Sequence, residues 1–134
     1  MKLQLLAILA FAVPTTATAP EKFDLKCTGE RQFHLESPVE PHSYGFRIDL
    51  KSQKWCWEHC DIIFDIAQVH PDRLILAEKH EVLGRVTSHL VNVIDRTNGN
   101  HRFRSSVTGS TGNVHTINGT CEPAPFSGFP ATKF

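Results

Sequence analysis

Cysteine and histidine are the residues of this chain best equipped for chemistry, and their spacing limits what that chemistry is. The 134 residues contain four cysteines and eight histidines. Cys56 and Cys60 lie close together in WCWEHC with His59 between them, whereas Cys27 and Cys121 stand near the two ends. A zinc site tolerates the Cys56/Cys60 spacing but needs four ligands, and the remainder of such a set is not identifiable. A thioredoxin-type redox pair wants C-x-x-C beside a βαβ pattern, and C-x-x-x-C amid strands is not that. Structural disulfides are the favoured reading, with Cys27 paired to Cys121 and Cys56 to Cys60, although sequence leaves the two other connectivities open. Residues four apart are about 13 Å distant in a strand and about 6 Å in a helical turn, so the local bridge requires a turn at Trp57-Glu58-His59.

The histidines at 34, 42, 59, 70, 80, 89, 101 and 115 show neither H-x-H nor H-x-x-x-H spacing. Strand neighbours can still converge, and His101 and His115 fall on adjacent expected strands with His89 one strand further. The metal reading is therefore a site at His89, His101 and His115, against the simpler reading of solvated or singly hydrogen-bonded histidines. Apart from such a metal, no cofactor is expected. No G-x-S-x-G, H-E-x-x-H, P-loop or dinucleotide fingerprint occurs, and no nucleophile is visibly held beside a base. Tyr44, Phe46, Trp55 and Trp57 gather around one hairpin, where they line a ligand pocket, form an exposed patch, or build core.

These residues must be positioned by strands. Tyr44, Phe46, Ile48 and Leu50 alternate with polar or small neighbours, Ser52-Gln53 turns, and Lys54–Trp57 returns, so 43 to 57 reads as a hairpin. IIFDIAQV at 62 to 69, a turn at His70-Pro71-Asp72 and RLILAE at 73 to 78 read as a second, with a helix over 56 to 68 as the alternative. Asn98-Gly99 marks a third hairpin between 86 and 107, and a two-residue turn there sets Asp95 opposite Arg102 and Ile94 opposite Phe103. Phe23, Leu25 and Cys27 alternate in a first strand, and Phe33 and Leu35 suggest a short second. About eight or nine short antiparallel strands joined by hairpins imply an all-β meander curled into a small barrel or sandwich and stapled by disulfides. Adjacent first and last strands place Cys27 beside Cys121. The tail 123–134 contains three prolines and Phe126, Phe129 and Phe134, and is expected to pack on the domain as a lid over one barrel end.

Residues 1–19 read as an address. Lys2 is a positive n-region, LQLLAILAFAV an apolar stretch too short to span a bilayer, and PTTATA a breaker followed by small residues, with cleavage after Ala17 or Ala19. A β-domain over 20–122 follows. The protein is thus expected to be exported, periplasmic or secreted, and not membrane-spanning once the signal is removed. A terminal aromatic raises an outer-membrane barrel, but Pro130 interrupts the last residues and the expected strands are short for a span. Fourteen basic side chains balance fourteen acidic ones and no two Lys/Arg are adjacent, which argues against a nucleic-acid partner.

The ordered set CTG at 27–29, YGFRIDL at 44–50, WCWEHC at 55–60, IDRTNG at 94–99, GTC at 119–121 and PFSGFP-x-x-x-F at the end resembles a group of small exported bacterial proteins of unassigned function. That group carries no catalytic residues to transfer. The Cys-Thr-Gly start and terminal cysteine are also similar in layout to the small barrels that inhibit c-type lysozymes, although the Ser-Gly-x-x-Tyr loop of those inhibitors is missing here. The function expected is a non-enzymatic envelope β-domain that binds a macromolecule or a small ligand. A histidine-based metal-binding protein or metal-dependent enzyme is the first alternative, and a lysozyme-inhibitor-like protein the second.

Overall fold

The structure, a computed structural model, describes Ala12, residues 20–109 and residues 113–131. The rest of the expected signal segment, residues 110–112 and residues 132–134 lie outside the described residues. Nine strands, β1 (Lys22–Gln32), β2 (Glu40–Asp49), β3 (Lys54–Trp57), β4 (Phe64–Asp65), β5 (Gln68–Val69), β6 (Arg73–Leu83), β7 (Val86–Asp95), β8 (Asn100–Thr108) and β9 (Asn113–Ala124), follow one another with no helix among the described residues. All pairings are antiparallel in one sheet of order β4-β3-β2-β1-β9-β8-β7-β6-β5. The sheet curls into a half-barrel whose concave face holds the core.

The expected connection of chain ends is present. β1 pairs β9 with Cys27 directly opposite Cys121, and the two are bonded with Cα atoms 4.0 Å apart. Cys56 bonds Cys60 across a turn closed by the Cys60 N–H donating to the Trp57 carbonyl at 2.7 Å, with Cys60 itself in the left-handed region at φ 53°. Alternation then decides the faces. Leu25, Cys27, Tyr44, Phe46, Ile48, Trp55, Ile94, Ile117 and Cys121 point inward and are buried, while Lys26, Arg102 and Arg104 point out and are exposed. β1, β6 and β9 run longer than expected, at 11, 11 and 12 residues. No described helix is long and apolar enough to cross a membrane.

Four local expectations are corrected. The run 62–69 is not one strand: Phe64 pairs with Trp55 at one sheet edge, and Val69 pairs with Leu74 at the other. A continuous strand can serve only one edge, so the chain crosses between them at Ile66-Ala67, whose N–H groups donate to Gln53 and Leu76 carbonyls at 2.9 and 3.3 Å. Ile66 is buried in the seam. A bulge after Ile75 shifts the β6 register, and the Leu76 carbonyl also accepts the Trp55 indole N–H at 3.1 Å, drawing the edges together.

The third hairpin is displaced by two residues, with Ile94 opposite His101 and Asn92 opposite Phe103. A two-residue type I′ turn needs positive φ at both central positions, but only Gly99 has it, at φ 76°. The Asp95 carboxylate instead accepts from Thr97 N–H and Oγ1 at 2.8 and 2.6 Å, making a four-residue loop that closes with the Gly99 N–H on the Asp95 carbonyl. A shift of two preserves the faces, so the inward set survives. Phe33 and Leu35 form no strand, because Gln32 Nε2 donates to the Leu35 and Ser37 carbonyls and folds 33–37 into a turn. The described part of the tail does not plug a barrel end. Ser127 Oγ donates to Asp24 at 2.6 Å, Arg47 Nη1 donates to the Gly128 carbonyl at 2.8 Å, and Phe126 meets Phe129 edge to face on the outside of β1–β2; Phe134 lies outside the described residues.

Candidate functional site

Tyr44 and Phe46 on β2 and Trp55 and Trp57 on β3 all point into the half-barrel, because register pairs Phe46 with Trp57 and Ile48 with Trp55. Their rings form a continuous cluster: Phe46–Trp57 centroids are 4.8 Å apart, Trp55–Trp57 5.7 Å and Tyr44–Phe46 5.9 Å. The structure separates their roles. Tyr44 and Phe46 are core, and the buried Trp55 with the half-buried Trp57 forms one wall of a hollow of about 380 Å³ opening between the sheet edges. Phe64 stacks on Trp55 at 4.9 Å, Phe103 meets Trp57 at 5.9 Å, and Leu90 and Asn92 complete the lining. Asp65, Glu78 and Lys79 also border it. Two of these charges are matched, since Asp65 pairs with Lys54 and Lys79 with Glu81 at 3.0 Å.

At the floor of the hollow lies a buried hydrogen-bonded chain. Tyr44 Oη is 2.7 Å from His101 Nδ1, and His101 Nε2 is 2.8 Å from Asn92 Oδ1. All three residues are buried, with Asn92 only 1% exposed. They come together because Tyr44, His101 and Asn92 occupy inward positions on β2, β8 and β7, and because the facing pair Gly29 and Gly119 lets the ring approach. A Cβ on Gly119 would collide with Tyr44 Oη and come within 2.7 Å of the Thr28 carbonyl. Burial pushes the Tyr44 hydroxyl up to about 12 and the His101 imidazole down to about 4. A neutral imidazole has one donor and one acceptor, so the Tyr44 O–H donates to Nδ1 and the Nε2–H donates to Asn92 Oδ1.

The other metal-candidate histidines are elsewhere. His89 faces outward on β7 and lies against His80 at 4.5 Å between ring centroids. His115 is sandwiched by Phe33 at 4.9 Å and Phe103 at 5.4 Å, with its Nε2 buried and without a hydrogen-bond partner among the described residues. Burial first, then the charges of Arg31, His42 and His34, hold its pKa below the usual value. The three are not gathered, and no group of three or more metal-ligating side chains forms among the described residues.

Trp55 and Trp57 were visible as candidates in the sequence; Asn92, Leu90, Phe103 and Phe64 were not. The signal for Asn92 was a polar residue at an inward position between Leu90 and Ile94. No family model, curated protein or solved structure matches the chain. Two disulfides and no free cysteine are the mark of an oxidising, exported compartment.

Proposed function

We propose that the chain is an exported binding domain of the bacterial envelope, periplasmic or secreted, that holds a small and largely apolar ligand in the hollow lined by Trp55, Trp57, Phe64 and Phe103. The observation that carries this reading is the hollow itself: it has the volume and aromatic lining of small-molecule sites, with one buried amide at its floor. Export is supported by the signal-like residues 1–19 together with the two disulfides.

Holding is favoured over turnover by the state of the histidine. Both ring nitrogens of His101 are engaged by Tyr44 and Asn92, which leaves no lone pair for a substrate proton. A tyrosine raised to about 12 is a poor acid at neutral pH. The test is fluorescence of N-phenyl-1-naphthylamine, which brightens in apolar sites. The expected result is saturable one-to-one binding to the wild type that is lost in Ala77→Trp, whose side chain fills the hollow. Absence of saturable binding, or equal binding by a folded Ala77→Trp, overturns the reading.

A further inference from the structure

We infer that Asn92 makes the hollow selective for an apolar molecule carrying a hydrogen-bond acceptor, of the ketone or ester class, which its side-chain Nδ2 amide receives. The inference rests on the hollow being a binding site and adds which chemistry it accepts. A buried tyrosine hydroxyl must donate somewhere, and among the described residues the partner of Tyr44 Oη is His101 Nδ1 at 2.7 Å. That bond fixes Nδ1 as the bare nitrogen, so the proton sits on Nε2. An N–H facing Asn92 requires an acceptor, which orients the amide with Oδ1 toward His101 at 2.8 Å. The same orientation turns Nδ2 away from the imidazole. Asn92 lines the hollow, and Nδ2 finds no acceptor among the described residues.

Little else in the wall can substitute. Phe64, Leu90 and Phe103 offer no donor, the Trp55 indole N–H is spent on the Leu76 carbonyl and Lys79 is paired with Glu81; the Trp57 indole N–H is the other uncommitted side-chain donor of the lining, and substituting Asn92 separates its contribution from that of Nδ2. An apolar ligand without an acceptor therefore leaves two amide protons unmet, whereas a carbonyl oxygen meets one of them. The acceptor class follows from the polarity of the chain: three residues on three strands point every donor the same way, from Tyr44 toward the hollow.

The experiment compares 2-acetylnaphthalene with 2-ethylnaphthalene, which differ by a carbonyl oxygen in place of two hydrogens, as competitors of N-phenyl-1-naphthylamine. Wild type is expected to bind the acetyl compound about five- to tenfold more tightly, the ratio one added buried hydrogen bond confers. In Asn92→Leu the ratio is expected to fall to about one while 2-ethylnaphthalene still binds, which also shows that the hollow persists. If that variant does not fold, Trp57→Phe, which removes the other donor, takes its place: a preference that survives there supports Asn92, and one that is lost overturns the inference. Equal wild-type affinities, or a preference surviving in Asn92→Leu, overturn the acceptor inference and leave the binding reading standing. Displacement by neither compound overturns the binding reading as well.

Discussion

Acidification tests the buried chain through stability, independently of any ligand. His101 is neutral in the fold, with its pKa lowered from 6.5 to about 4 by burial, so the unfolded chain binds a proton that the folded chain refuses. Stability from this residue is complete above pH 6.5 and is lost as pH falls toward about 4, the direction expected for a depressed histidine. Between about pH 7.5 and about pH 4.5 the loss attributable to His101 is about 2–3 kcal/mol, a large share of a small domain's stability. His42 and His115 are also lowered, and the Asp49 and Asp95 carboxylates sit below their usual range, so the whole protein shows a steeper profile. His101→Gln isolates the effect, because an amide accepts from Tyr44 and donates to Asn92 without titrating. Urea unfolding followed by the two tryptophans at a series of pH values is the assay. The variant is expected to lose about 2–3 kcal/mol less than wild type over that interval, the other groups cancelling in the difference. Parallel profiles would show that His101 is not held neutral, and the reasoning from burial would fail.

Gly119→Ala should lower stability by about 1–3 kcal/mol, since a Cβ there meets Tyr44 Oη and the Thr28 carbonyl; an unchanged urea midpoint contradicts the close approach. Replacing Cys27 and Cys121 together by serine removes a bridge spanning 94 residues and should cost about 4–5 kcal/mol by chain entropy, against about 2 kcal/mol for Cys56 with Cys60. Equal losses in denaturant unfolding would refute that order. Arg47→Ala frees the Gly128 carbonyl and the Glu58 carbonyl, so the tail should be cut faster at 125–131 by a protease of broad specificity while the unfolding midpoint changes little; unchanged cleavage sinks the assignment of Arg47 as the tail's anchor.

The strands, their faces and both bridges were legible because alternation and cysteine position are local or nearly local signals. Asn98-Gly99 located a hairpin but not its register, because the Asp95 carboxylate caps the loop from a position the two-residue rule does not weigh. The crossing at Ile66-Ala67 was illegible for a different reason. Its isoleucines have strand propensity, yet the segment is shared between two edges that only the closed sheet brings near. The site followed the same division. Tyr44 and the tryptophans stand close together in sequence, whereas His101 and Asn92 reach Tyr44 from positions 57 and 48 residues away, through the order of strands rather than their content. His101 looked like a metal candidate on spacing and proves to be an oriented, neutral link.

The most direct measurement is an amide NMR titration of the disulfide-bonded protein with 2-acetylnaphthalene, observing the Asn92 side-chain NH2 and the indole N–H signals of Trp55 and Trp57. Saturable shifts of all three are expected, with the Asn92 NH2 moving downfield for the acetyl compound and not for 2-ethylnaphthalene. Shifts confined to the Asp95–Gly99 loop, which does not line the hollow, or no saturable shift, would overturn the reading.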